Sequence, residues 1–531
     1  MKRFFLTTAA VLTPMAAQAD FTLHVLHTND LHSRIEAINA FDSTCSAEDA
    51  AENKCFGGVA RLATKVNEVR GALEAAGQNV ILLDAGDQFQ GSLMYTFYKG
   101  AVEAEFMEAM GYDVMALGNH EFDDGPEGFA AFLDKVSFPT ISGNIDVSGS
   151  NVLAGRVQDH VVLEVGGQKV GIISALATDT PETSSPGPTV VFADDIESLK
   201  ADVATLEAAG VGMIIALTHV GYARDIEIAA AVPGIDAVVG GHSHTYLSAT
   251  DPARKGPYPT WVSQEGGTLV PVVQAYAYSK YLGHLELIFD DAGKLKYAGG
   301  NTLVLDASVA PDAAVAARVA ELAGPLEEIR AKVVAEATGV IEGSREVCRQ
   351  MECAMGNLVA DAMLARVADQ GVTIAVQNGG GVRATIDAGP VTMGEVLSVL
   401  PFQNTLSTFT VTGADLVAAL ENGVSDLENG AGRFLQVAGM QYTFDPAAAA
   451  GARVSDVMVR VGGDAWAPID PAAEYLVVSN NYVRGGGDGF AMFVNAKNAY
   501  DFGPDLADVV AEYMADVGPY APFTDGRITR K

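Results

Sequence analysis

Leu26-His27-Thr28-Asn29-Asp30-Leu31-His32, where an apolar run that starts at Phe21 breaks into metal-ligating residue types, decides how the rest of the chain is read. Four more apolar runs end in the same way. Val80-Ile81-Leu82-Leu83 meets Asp84-Ala85-Gly86-Asp87, and Val114-Met115-Ala116-Leu117 meets Gly118-Asn119-His120-Glu121. Met213-Ile214-Ile215-Ala216-Leu217 meets Thr218-His219, and Ala237-Val238-Val239 meets Gly240-Gly241-His242-Ser243-His244. Short uninterrupted apolar runs predict buried strands, and ligands in α/β sheets gather beyond the carboxyl ends of strands. The pattern predicts an α/β fold with five strand ends converging on one crevice.

Five of the nine histidines, His32, His120, His219, His242 and His244, stand in these motifs. Aspartate can bridge two divalent cations, while imidazole nitrogens and an asparagine carbonyl fill the other positions. Such a pair answers both demands of phosphate-ester cleavage: a nucleophilic hydroxide at neutral pH and compensation for charge on the phosphoryl oxygens. The motifs therefore predict a two-metal phosphoesterase. His24, His27, His160 and His284 are assigned to structure.

At 531 residues, with 49% hydrophobic content, the chain has material for roughly two to four domains. Met1-Lys2-Arg3, an apolar stretch from Phe4 to about Met15, and Ala17-Gln18-Ala19 have the order of a secretory signal peptide over 1–19. The apolar stretch is shorter than the ~20 residues a bilayer core requires, so no membrane span is expected after cleavage, and the protein is expected to be exported, periplasmic or extracellular. The four cysteines form two close pairs, Cys45 with Cys55 and Cys348 with Cys353. In an oxidising compartment this spacing predicts two local disulfides; zinc knuckles would need Cys-x-x-Cys. The formal charge of −34 becomes −36 without Lys2 and Arg3, with 31 basic residues against 67 acidic. That surface repels nucleic acid polymers, so an anionic substrate must be small and must meet a local cationic patch.

After His244 a strand-rich stretch continues, with Asp290-Asp291-Ala292-Gly293 as a hairpin signal. Asp312 to Ala335 has apolar residues at helical spacing and reads as a helix joining two domains. The expected organisation is 20–311, a linker helix over 312–336, and a second α/β domain over 337–531. In that domain a helix is expected around Met355 to Met363, and a strand over Val372 to Val376 leads into Asn378-Gly379-Gly380-Gly381-Val382-Arg383. Leu476 to Ser479 similarly precedes Asn481-Tyr482 and Gly485-Gly486-Gly487-Asp488-Gly489. No Lys-Ser or Lys-Thr follows those glycines, which argues against a P-loop.

The blocks Leu26 to His32, Gly86-Asp87-Gln88-Phe89-Gln90-Gly91 and Gly118-Asn119-His120-Glu121-Phe122-Asp123 resemble the signature blocks of the 5′-nucleotidase family. The likeness runs from about Phe21 to the C-terminus. It implies a calcineurin-like metallophosphatase sandwich of two sheets flanked by helices, followed by a C-terminal domain that binds the nucleotide. By the same resemblance Asp30, His32, Asp87 and His244 hold one metal, and Asp87 bridges to a second held by Asn119, His219 and His242. Some relatives carry glutamine or asparagine at the His244 position. His120 is implied as a proton donor or charge stabiliser, with Asp123 orienting it. Zinc suits the mixed nitrogen and oxygen donors, and manganese, cobalt or iron fit them too.

The resemblance also assigns the C-terminal half. Arg349 and Arg383 match phosphate-binding arginines, Phe402 and Tyr482 the two aromatic residues that sandwich the base, and Asp488 a carboxylate on the ribose hydroxyls. Asn378 and Asn404 are expected to contact base or ribose. Relatives rotate this domain to carry substrate to the metals, which gives the helix from Asp312 an expected hinge role.

The expected activity is hydrolysis of nucleoside 5′-monophosphates such as AMP, extending to nucleoside di- and triphosphates or UDP-sugars. Two alternatives stand beside it: a 2′,3′-cyclic-nucleotide phosphodiesterase with 3′-nucleotidase activity, and a non-catalytic nucleotide-binding protein.

Overall fold

The computed structural model describes residues 20–39, 42, 45, 47–400, 402, 404–462, 465–501 and 503–531. The expected leader at 1–19 lies outside the described residues.

Two six-stranded sheets build the first half. One runs in the order Leu295–Val304, Tyr281–Phe289, Phe21–Thr28, Asn79–Asp84, Val114–Ala116, Thr140–Ile141. The other runs Thr260–Ser263, Leu269–Val273, Ala237–Gly240, Met213–His219, Gln168–Leu176, His160–Val165.

Strand side chains alternate between two buried faces, which explains why the runs are apolar throughout rather than at every second position. Leu23, Val25, Ile81, Leu83, Val114 and Ala116 meet Ile215, Leu217 and Val239 between the sheets. Leu26, Leu82 and Met115 point the other way, into a core shared with the helices Val59–Ala75, Ala101–Met110 and Gly125–Leu133. Ile214, Ala216 and Val238 face the helices Asp195–Ala208 and Tyr222–Ala231 on the far side. The result is the helix, sheet, sheet, helix sandwich that the resemblance implied. Phe21–Thr28, Asn79–Asp84 and Val114–Ala116 pair in parallel, as do Gln168–Leu176, Met213–His219 and Ala237–Gly240. Their carboxyl ends therefore share one edge of the sandwich.

The second half has a five-stranded mixed sheet in the order Leu435–Ala438, Ile374–Asn378, Glu474–Asn480, Leu406–Thr412, Lys497–Tyr500. Helices Ala354–Arg366 and Leu506–Val517 cover one face and Gly413–Gly423 the other.

The helix expected over Asp312–Ala335 is shorter, spanning Ala313–Arg330. Asp312 caps it by accepting from the backbone N–H groups of Ala314 and Val315. Beyond Arg330 the β-branched Val333-Val334 pair opens the strand Val333–Ala337, which pairs antiparallel with Gly389–Thr392. The strand expected at Val372–Val376 lies two residues on, at Ile374–Asn378.

Candidate active site

Five strand-end loops from the two sheets bring Asp30, His32, Asp87, Asn119, His219, His242 and His244 together. Three groups of potential ligand atoms each fall within 4.8 Å: Asp30 with His32 and His244, His32 with Asp87 and His120, and Asp87 with His219 and His242. Asp87 belongs to two of them. Asn119 Oδ1 lies 2.9 Å from His242 Nδ1.

Backbone geometry shows what this convergence demands. Asp30, His32, Asp87, His242 and His244 all have left-handed φ, from 47° to 76°. For residues with a Cβ this costs roughly 1 kcal/mol or more each, and it persists only where surrounding structure over-determines it. Gly86 and Gly118 let two of the loops touch: a Cβ on Gly118 would strike the Asp87 carboxylate, and one on Gly86 would strike the Gly118 backbone.

The donor set fits a pair of cations. Asp30 and Asp87 are buried, with 0% and 2% of their surface exposed. Unpaired carboxylates at that depth are costly, so the site calls for positive charge. Burial would raise the Asp87 carboxyl, yet His219, His120 and His32 hold it well below its usual range. His219 shows the reciprocal effect: burial lowers it, but Asp87 and Asp30 push it up to about 10. Its Nδ1 lies 2.6 Å from the Ala85 carbonyl and donates to it, so a cation that displaces the Nε2 proton would find that nitrogen aimed at it. Nε2 is 3.0 Å from Asp87 Oδ2, so the two atoms converge as two ligands of one ion would. His32 behaves alike: Nδ1 meets the Phe89 carbonyl at 3.1 Å, and Nε2 faces His244 Nε2 at 3.0 Å and Asp87 Oδ2 at 3.7 Å.

His120 Nδ1 sits 2.7 Å from Asp123 Oδ2, leaving Nε2 towards the cluster. Burial lowers the His120 imidazole, but Asp123 and Asp87 outweigh it and push it up to about 9. Asp123 does not cap the following helix; the N-cap of Gly125–Leu133 is Asp124.

Several residues with no role assigned from the sequence hold the site together. Glu121, fully buried, accepts from the backbone N–H groups of Asp87, Gln88, Phe89 and Gly118, so one carboxylate clamps two ligand loops. Asn29 donates to Asp30 Oδ2 at 2.6 Å. Ser184 donates to Asp123 Oδ1 at 2.7 Å. Glu121 and Asn29 stand inside the quoted blocks, where neighbourhood was the available signal. Ser184 lies 61 positions from its partner, and no local pattern marks it.

The other predicted residues line a second cavity of about 490 Å³, walled by Arg349, Asn378, Arg383, Phe402, Asn404, Tyr482 and Asp488 from the C-terminal half and by Arg34, Tyr276 and Tyr278 from the N-terminal half. Asn378 Nδ2 donates to Asp488 Oδ2 at 2.7 Å, and the Tyr482 hydroxyl to Asp488 Oδ1 at 3.0 Å. The Arg383 guanidinium lies 5.3 Å from the Phe402 ring centroid. Arg349 is held between the disulfide-bonded Cys348 and Cys353, and its Nη1 donates to the Gly430 carbonyl at 3.2 Å. The second expected disulfide, Cys45–Cys55, is also formed.

This cavity runs into a cleft of about 340 Å³ lined by His32, Asp87, Asn119, His120 and His242. Arg34, His244, Tyr278, Phe402 and Asn404 border both, so the two form one passage. Arg34, Tyr278, Asp179 and Arg484 are wall residues that the sequence reading did not name.

The histidines assigned to structure lie elsewhere: His24 Nδ1 and His284 Nε2 are 3.0 Å apart, His27 meets the Tyr258 hydroxyl at 2.8 Å, and His160 meets Asp202 at 3.0 Å.

Residues 23–246 match the calcineurin-like phosphoesterase family, and residues 333–495 match the 5′-nucleotidase C-terminal domain. The chain is 39% identical to a 5′-nucleotidase of Diplobatis ommata, across 96% of this chain and 90% of that protein. The crystal structure of a 5′-nucleotidase precursor from Thermus thermophilus is 40% identical, covers 96% of this chain and 99% of its own, and superposes with a TM-score of 0.66. The Haemophilus influenzae NAD nucleotidase structure is 26% identical, with coverage of 97% and 100% and a TM-score of 0.72.

Proposed function

We propose, from the premise that this chain belongs to the 5′-nucleotidase family, a division of labour along the passage between the two halves. The protein is a metal-dependent hydrolase of nucleoside monophosphates. Asp30, His32, Asp87 and His244 would hold one divalent cation and Asp87, Asn119, His219 and His242 the other. Phe402 and Tyr482 enclose the base, Asp488 with Asn378 and Asn404 meets the nucleoside, and Arg349 and Arg383 grip phosphate. The observation that carries this reading is the continuity of the passage, whose two parts share Arg34, His244, Tyr278, Phe402 and Asn404.

When bound, the two cations activate the attacking water and neutralise phosphoryl charge. His120, oriented through Nδ1 by Asp123, presents Nε2 for a proton that goes to the departing ribose 5′-oxygen. Arg349 and Arg383 fix the phosphate so that attack and departure are in line. Zinc is the proposed metal, on the mixed imidazole and carboxylate donors. Nucleoside di- and triphosphates and UDP-sugars are proposed as further substrates, supported by the cavity's volume of about 490 Å³. Export is supported by the leader pattern and the two disulfides. No helix among the described residues is long and apolar enough to cross a membrane.

The test is phosphate release by purified, metal-loaded protein from 5′-AMP, 3′-AMP, 2′,3′-cyclic AMP, ADP and UDP-glucose. Fastest turnover of 5′-AMP, abolished in His120→Ala, is the expected result. Preference for 3′-AMP and the cyclic ester, or AMP binding with no product over hours, would overturn the reading.

A further inference from the structure

Asp123 presents two oxygens to two partners. Oδ2 faces His120 Nδ1 at 2.7 Å, and Oδ1 accepts from the Ser184 hydroxyl at 2.7 Å. Without the second bond, the carboxylate could turn about its own axis and still satisfy one of its oxygens. With both, its plane is set, and with it the direction of the imidazole.

Ser184 is itself well held. Only 4% of it is exposed, and its backbone N–H donates to the Thr180 carbonyl at 2.8 Å, closing the short helix Thr180–Thr183. That segment continues the strand Gln168–Leu176, and Ala177 N–H donates to the carbonyl of His219, one of the proposed ligands, at 2.9 Å. Ser184 is therefore anchored to the sheet that carries His219 while reaching across to the loop of the first sheet that carries His120.

We infer that Ser184 is a positioning residue for the hydrolysis, fixing the Asp123 carboxylate so that His120 Nε2 stays aimed at the leaving oxygen. The inference rests on the His120 and Asp123 roles proposed above. Outer hydrogen-bond partners of this kind typically contribute about 10-fold to 100-fold in activity. Because Ser184 lines neither part of the passage and its side chain bonds Asp123, its loss should appear in kcat and not in KM.

The experiment is a double-mutant cycle on the full, metal-saturated chain with 5′-AMP as substrate, using Ser184→Ala, Asp123→Asn and the double variant. Ser184→Thr and His120→Ala are measured beside them. Ser184→Ala should lower kcat about tenfold with KM within about twofold, and Ser184→Thr, which keeps the hydroxyl, should recover most of it. In the Asp123→Asn background the same change should cost less than about twofold, since partners in one network are not additive. A full tenfold loss repeated in that background, an unchanged kcat in Ser184→Ala, or a loss seen only in KM would overturn the inference. If His120→Ala itself costs less than about tenfold, the dyad reading fails instead, and that result is independent of Ser184.

Discussion

The two ends of the passage differ in how deeply they are buried and in how much of their backbone is left-handed. At the metal end the side chains are buried and the backbone is strained: Asp30 and His219 have no exposed surface, and five of the proposed ligands sit in left-handed conformations. At the nucleoside end burial is mixed and the polar groups pair with one another: Tyr482 is 48% exposed while Arg349 and Asn378 are buried, and Asp488, left-handed at φ 53°, is held by Asn378 and Tyr482. A cluster of buried carboxylates must be preorganised, because its atoms have to be in place before charge develops. A surface that receives and releases a base works with side chains whose partners can be exchanged for substrate at little cost.

The largest separation of the two ends should come from Asp87→Ala. Removing the carboxylate common to two ligand groups should lower kcat on 5′-AMP by at least ~10³-fold and reduce bound metal per chain, as read by elemental analysis. A variant that kept both metals would break the contrast. Glu121→Gln comes next. It keeps shape but removes the charge facing four backbone donors, and it should weaken metal retention about 10-fold to 100-fold while leaving KM for AMP near its original value. Tyr482→Ala should do the reverse, raising KM about fivefold to thirtyfold with kcat within about threefold, as loss of one stacking face implies. A kcat collapse in Tyr482→Ala would show that the nucleoside end is as preorganised as the metal end.

The smallest effect concerns the histidines of the paired strands Phe21–Thr28 and Tyr281–Phe289. Burial lowers the imidazoles of His24, of His27 to about 3, and, with His24 adding to it, of His284 to about 4. These groups are neutral when folded, whereas in the unfolded chain they take up protons near pH 6.5. The unfolded state therefore binds more protons as pH falls from about 6.5 towards 4, and stability should drop over that window. In metal-saturated protein, His284→Gln should flatten the fall of Tm by on the order of 2 °C per pH unit. An unchanged slope would remove these histidines from the account.

The metal end was legible because each apolar run stopped at a ligand, and strand periodicity alone placed those stops on one edge. Left-handed φ at Asp30, His32 and Asp87 was not legible, since it arises from loop contacts across two sheets. Ser184 escaped notice for the same reason, as 61 residues separate it from Asp123. The nucleoside end was legible only through resemblance: a lone Phe402 or Tyr482 has the composition of ordinary core. The helix after Asp312 was read too long because Ala331 to Ala335 continues the apolar spacing, while pairing with Gly389–Thr392 draws Val333–Ala337 into a strand.

Anomalous diffraction from crystals of the zinc-loaded protein tests the central claim most directly. Two peaks about 3.5–4 Å apart, with an Asp87 carboxylate oxygen between them, are predicted. A single peak, or two that share no oxygen of Asp87, would contradict it.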